Sequence, residues 1–297
     1  MNLRALALVA LASASSPALA INSLDLSQYQ LSATYNLDSA PFFPASSEAS
    51  AITYNWDNGN LFILGDEGDA LLEITPSGQF VSSMTLTGFA DTEGLTYIGN
   101  GEFVIGEERL QDVYRFTYAA NTTVARGSLP FASIAPTVGN IGIEGFSFDP
   151  LTNRYVLVKE KTPQGIYDTA ITFSTAAQPD INPANLFDPA LLGLLDLSDV
   201  QVLSTVPSLV GTADQDNLLV YSQESARLLE VSRTGQVLSS FDFSAIAGDA
   251  EGVTIGPDGT IYVVGEAPAV YVLTIPTPGA AALATVALAG LIRRRRN

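Results

Sequence analysis

The residues able to do chemistry in this chain are carboxylates, and their spacing is not that of a random acidic surface. Four glutamates open successive apolar segments: Glu48 in Glu48-Ala-Ser-Ala-Ile-Thr-Tyr, Glu93 in Asp91-Thr-Glu-Gly-Leu-Thr-Tyr, Glu144 in Gly142-Ile-Glu-Gly-Phe-Ser-Phe, and Glu251 in Asp249-Ala-Glu-Gly-Val-Thr-Ile. Six more, Glu67, Glu107, Glu108, Glu160, Glu224 and Glu266, close the segments that follow, so these positions take ten of the thirteen glutamates. Like charges brought together either raise one another's pKa or bind a cation. Oxygen ligands in a ring of six to eight suit Ca²⁺. A calcium ion liganded by Glu48, Glu93, Glu144 and Glu251 is therefore expected, with the other six as a secondary acidic rim. The same side chains can instead accept hydrogen bonds from the backbone of neighbouring segments and act as staples, and the sequence leaves that alternative open.

The chain has no His and no Cys. That excludes a Ser-His-Asp triad, thiol nucleophiles and ordinary zinc ligation. Two functional classes survive. One is a calcium-stabilised binding or scaffold module. The other is a calcium-dependent hydrolase of the phytase-like kind, in which the metal polarises an ester, lactone or phosphate oxygen and Glu93 or Glu144 is the catalytic base. Lys159, Lys161, Arg109 and Arg115 are candidates to hold an anionic substrate, or else to pair with adjacent acids.

The elements that must position these carboxylates are short strands rich in Val, Ile, Thr, Tyr and Phe, separated by Gly, Asn, Asp and Pro turns, with no long amphipathic helix. A fifth stretch, Pro207-Ser-Leu-Val-Gly, is read as the opening of the fourth unit, giving openings 45, 51, 64 and 43 residues apart. A repeat of roughly 40 to 50 residues is that of a propeller blade. The long interval requires an insertion, placed at 178–197, with a short helix inside 185–195. The fold expected is all-β: a β-propeller of five blades, with the N-terminal strand at 28–37 closing the last blade. Six blades is the alternative, the sixth hidden in 162–204. Antiparallel pairing across tight turns such as Gly99-Asn-Gly101 and Pro257-Asp-Gly259 puts the start of each first strand beside the end of the second. The acids then share one mouth of the propeller.

The ends of the 297-residue chain read differently. Residues 1–20 carry one cation, an apolar run and a small-residue site, the pattern of a secretory signal peptide. Residues 21–275 form the propeller domain. Residues 276–297 hold a turn motif, an apolar stretch too short for a comfortable span, and Arg293 to Arg296; they resemble the PEP-CTERM sorting tails handled by exosortases, with Thr277 where that class has Glu. A membrane anchor is the alternative for this tail. The protein is expected to be exported to the periplasm, cell surface or medium, touching membrane only through the tail. Between the ends lie eight cations and all thirty-one acids, a net charge of −23. Such a field disfavours nucleic acid and favours cations or cationic partners. A monomer is expected, with a small-molecule or surface partner that the sequence does not name.

Three stretches carry a family resemblance. Residues 91–109, residues 140–150 with Lys159-Glu-Lys161 and Gly165-Ile-Tyr167, and Asp249-Ala-Glu-Gly-Val253 resemble the SdiA-regulated propellers of bacterial secreted proteins. The resemblance implies a YjiK-like propeller able to hold calcium. Pro207-Ser208 stands where an acid would complete the ring, which implies a lopsided site.

Overall fold

The structure is a computed structural model that describes residues 21–67, 69–135, 139 and 141–276. The expected leader and the tail from Thr277 onward lie outside the described residues. Five sheets are arranged as five blades, all antiparallel except that blade one gains a parallel outer strand at Thr123–Ala125. Their innermost strands are Ala49–Tyr54, Thr92–Gly99, Ile143–Asp149, Asp199–Val202 and Ala250–Ile255. Each pairs with the second strand of its own blade and packs beside the innermost strand of the next.

The second strands explain why blades form at all. Leu61–Gly65, Leu218–Ser222 and Ile261–Gly265 are buried along their full length. Alternate side chains of a strand leave opposite faces of the sheet. Leu61 and Ile63 accordingly enter the core between blades five and one, while Phe62 and Leu64 enter the core between blades one and two. Three further cores fill the remaining seams. An apolar run buried on both faces is thus a blade interior, and five seams between five blades close the ring.

Closure is made by the N-terminal segment. Gln30–Asn36 pairs antiparallel with Ala269–Thr274, the last strand of blade five, from Gln30 opposite Thr274 to Asn36 opposite Ala269. The expected closing strand is where the sequence put it, and it removes a sheet edge that would otherwise be open to other chains. Because the last strand runs away from the acidic mouth, both the described ends leave from the opposite, turn end. Tyr29 Oη donates to the carbonyl of Gly259 at 2.8 Å, and the Leu24 amide donates to Asp214 at 2.9 Å, holding the N-terminal segment against the turns of blades five and four.

Blade four corrects the sequence reading. Its innermost strand is Asp199–Val202, and Pro207-Ser208 lies in the connection that follows at the turn end. The insertion includes the expected 178–197 and starts somewhat before it, after Thr169. Blade three has three strands; the chain then crosses to blade two, where Ser174 bridges Phe131 and Ile181 bridges Ile134. A one-turn 3₁₀ helix at Pro189–Leu192 precedes the return.

Inter-blade staples exist, but mainly hydroxyls make them. Thr254, Thr53, Thr96 and Ser147 occupy one position of successive innermost strands, and their hydroxyls accept from the amides of Tyr54, Tyr97, Phe148 and Val202 in the next blade at 3.0 to 3.2 Å. Gln201 holds that position in blade four and accepts from the Thr254 hydroxyl at 3.0 Å. The void they leave on the axis, about 10 Å³, is the size of a single water. The axis is filled rather than open.

Candidate metal centre

At the mouth, four of the five innermost strands begin with an irregularity, the exception being Asp199–Val202 of blade four. The register skips one residue between Ala49 and Ala51, Thr92 and Gly94, Ile143 and Gly145, and Ala250 and Gly252. Such a bulge leaves a residue outside the ladder and re-aims its side chain. The bulged residues are Ser50, Glu93, Glu144 and Glu251. The glycine after each glutamate is where the next blade presses. A Cβ on Gly94 would lie 2.2 Å from the Phe146 ring, one on Gly145 2.6 Å from the Asp199 Cα, and one on Gly252 2.7 Å from the Ser50 carbonyl. Glu-Gly is therefore one device with two parts: a carboxylate for the mouth and room for the neighbouring strand.

A second set of side chains sits at the return. Asp66, Glu108, Glu160 and Glu266 donate their amides to the carbonyls of Glu48, Asp91, Gly142 and Asp249 at 2.8 to 3.0 Å. This pairing shifts Glu48 in register but leaves its carboxyl against that of Asp66. Glu48 is the counterpart of Asp91 and Asp249, and Ser50 is the counterpart of Glu93. Glu48 and Asp91 share a left-handed backbone, at φ 45° and 65°. Glu67 lies one residue beyond Asp66, on the outer rim.

The carboxylates meet in threes. Among the described residues, Asp66, Asp91 and Glu93 bring oxygens within 4.8 Å of one another, as do Glu108, Glu144 and Glu160, and Glu160, Asp196 and Glu224. That spacing is about twice a calcium–oxygen distance of roughly 2.4 Å. Glu93 and Glu144 thus fall in neighbouring triads. Glu251 instead accepts from Gln223 Nε2 at 2.8 Å and lies against Glu266.

The three triads differ in what already neutralises them. Lys161 bridges Glu160 and Glu224, at 2.5 and 2.8 Å, and Asp196 accepts from the Ser222 hydroxyl and the Glu224 amide. In the second triad Glu108 accepts from the Gly142 amide at 2.6 Å, and buried Lys159, whose Nζ donates to the carbonyls of Lys161 and Pro163, lies close by. At the Asp66 triad the cation is Arg109, whose largely exposed guanidinium pairs with Asp91 at 2.7 Å, and Ser50 hydrogen-bonds to Glu93. Asp66 Oδ1 is buried with no hydrogen-bond partner among the described residues. Burial, then the charges of Glu48, Asp91 and Glu67, push the Asp66 carboxyl up to about 7. Burial and the Asp66 charge push Glu93 up to about 8. Burial first, and then Glu93, raise Glu144 well above the ordinary range; burial with Glu93 and Glu266 takes Glu251 to about 10. An all-oxygen set holding excess charge and an orphaned carboxylate oxygen fits a hard divalent cation.

Glu107 turns away from the mouth. It is buried on the opposite face of its strand and accepts from Arg126 Nη1 at 2.6 and 2.7 Å. The four cations named for an anionic substrate are likewise engaged. Arg109 pairs with Asp91, Lys161 with Glu160 and Glu224, and Lys159 with backbone carbonyls, while Arg115 lies 3.8 Å from Glu102 and over the Phe173 ring.

Asp199 is the functional-looking residue that sequence reasoning missed. It is buried at the glycine position of blade four, pressed against Gly145, and accepts from the amides of Val253 and Val200 at 2.8 and 2.7 Å. Burial raises its pKa well above the ordinary range. It is a staple, the role proposed as the alternative for the glutamates.

The glutaminyl cyclase of Myxococcus xanthus is similar to this chain with a TM-score of 0.52 at 13% identity, over 83% of this chain and 95% of that one. A virginiamycin B lyase from Staphylococcus aureus matches at a TM-score of 0.37 and 13% identity, over 82% of this chain and 69% of that one. At such identities the likeness to the cyclase is one of fold alone. The family model described as SdiA-regulated matches residues 23–274, from before the closing strand to the end of blade five. The chain belongs to the SdiA-regulated family.

Proposed function

We propose that this protein is an exported, calcium-binding propeller that acts as a binding module through its acidic mouth. Asp66, Asp91 and Glu93 are the ligands offered by this chain. The observation that carries the reading is the Asp66 triad: three carboxylates within 4.8 Å, one with an oxygen that has no partner among the described residues. Three carboxylates leave a calcium ion short of its usual six to eight oxygens, so a hydroxyl or carboxylate of a partner can complete its shell. The Glu108 and Glu160 triads are carboxylate clusters that lysines already balance. The hydrolase alternative needs a cleft beside Glu93 or Glu144, and the two cavities described here are lined by neither.

The test is the thermal midpoint of residues 21–276 in excess EDTA and in millimolar Ca²⁺. Saturation at about a hundredfold over Kd stabilises by about 2.7 kcal/mol, which is about 5 to 10 °C for a domain of this size. Glu93→Gln and Asp66→Asn abolish that rise, and Glu224→Gln keeps it. No rise in the wild type, or a rise that survives Glu93→Gln, rejects the site.

A further inference from the structure

A second site lies on the outer edge of blade two, radially outside the acidic mouth, where Asp112 stands opposite Glu107 and Ser133. A cavity of about 280 Å³ opens where the crossing segment near Thr175 meets the outer strands of that blade. One wall is Asp112. Its two carboxylate oxygens accept from the Tyr114 and Ser133 hydroxyls, at 3.0 and 2.5 Å, which fixes the carboxylate while leaving lone pairs on both oxygens. The other wall is Arg126. Its Nη1 is committed to the two oxygens of buried Glu107, which fixes the guanidinium plane and leaves its other N–H edge toward the cavity. Phe131 and Tyr114, their ring centroids 5.9 Å apart, supply an apolar floor.

The two charges sense each other. The Arg126 pKa is raised first by its hydrogen bond to Glu107 and, in smaller part, by charges that include Asp112. Yet Arg126 makes its ion pair with Glu107, while Asp112 is held by hydroxyls. An anchored carboxylate and an anchored guanidinium therefore face one small cavity without closing on each other. A ligand with a cation at one end and an anion at the other would engage both and bring no net charge into the cavity. We propose that this cavity binds a small zwitterion of the α-amino-acid class, its ammonium on Asp112 and its carboxylate on the free N–H edge of Arg126. The arrangement uses no carboxylate of the three triads and does not rest on the calcium reading.

The experiment is an amide chemical-shift titration of the full chain with L-serine, with D-glucose as an uncharged polar control. Saturable shifts at Gly127, Ser128 and Thr175 with L-serine, and none with glucose, are expected. Asp112→Asn lowers the affinity at least about tenfold, the loss of one charge-assisted contact. A second variant, Gly127→Trp, places an indole in the cavity lining and is expected to abolish the shifts at Ser128 and Thr175, with an unchanged thermal midpoint showing that the fold is kept; a Cβ at Gly127 meets nothing within 4 Å. No saturable shift with L-serine, an equal response to glucose, or unchanged affinity in Asp112→Asn overturns the proposal.

Discussion

Glu93 shows how a single residue is set up for a task. The bulge removes it from the ladder, Gly94 admits the neighbouring blade beside it, and Asp66 and Asp91 crowd its carboxyl. Its pKa of about 8, with about 7 for Asp66 and about 10 for Glu251, lies above the unfolded values of 3.8 and 4.5. Above the unfolded pKa the native state then holds more protons than the unfolded one, so stability falls as pH rises. In EDTA the midpoint is expected to drop steadily between pH 5 and pH 9; in millimolar Ca²⁺ the drop is largely removed, because the cation replaces the protons. A flat EDTA profile would show that the carboxylates are not coupled as described. Glu93, Glu144 and Glu251 were legible because each precedes a glycine and an apolar run. Asp66 and Asp91 were not, since each sits next to a more conspicuous glutamate and only the return pairing reveals which of the neighbours faces the mouth. Glu48 lies two positions before Ser50, which occupies the bulge, so it meets Asp66 from the position of Asp91 rather than that of Glu93.

The innermost strand is the element on which everything else depends. Its hydroxyl position ties it to the next blade, and its glycine sets how close that blade comes. At Gly252 the obstacles to a Cβ are backbone atoms of Ser50, Ala51 and Ile52, at 2.7 to 2.9 Å, which cannot rotate away. Overpacking of this kind costs about 1 to 3 kcal/mol, so Gly252→Ala is expected to lower the midpoint by about 3 to 10 °C. Gly127→Ala, where a Cβ meets nothing within 4 Å, should leave it unchanged when both are measured by calorimetry. Equal midpoints for the two variants would mean that the seam between blades five and one has slack. Four of the five innermost strands were readable from an apolar run after an acidic opening. The fourth was not, because Asp199-Val-Gln-Val alternates polar and apolar residues and its polar members are buried as staples rather than exposed. Pro207 and the apolar residues after it imitated a strand opening; Val206 and Leu209 are buried, but in a loop that folds under the turn end.

At the scale of the whole molecule, the ring stands or falls with its closing strand. Residues Gln30–Asn36 cover the edge of Ala269–Thr274, and the residues before them seal the core between blades four and five through Leu24, Leu26 and Tyr29. A chain beginning at residue 38 is expected to lose cooperative unfolding and to self-associate through the bared edge, read by calorimetry and light scattering. A monomeric, cooperatively melting truncation would show that blade five is complete without it. Fold class, blade number and this closure were all legible, since each rests on repeat spacing and strand count rather than on side-chain aim.

Both described ends leave the propeller beside the turns of blades four and five, the face remote from the carboxylates. An attachment made at residue 21 or at residue 276 would therefore start from the back of the propeller. A surface display, a fusion partner or a sensor chip would each hold the protein by its back. The carboxylates would then look out into the solution, free to meet ions and partners arriving from the bulk.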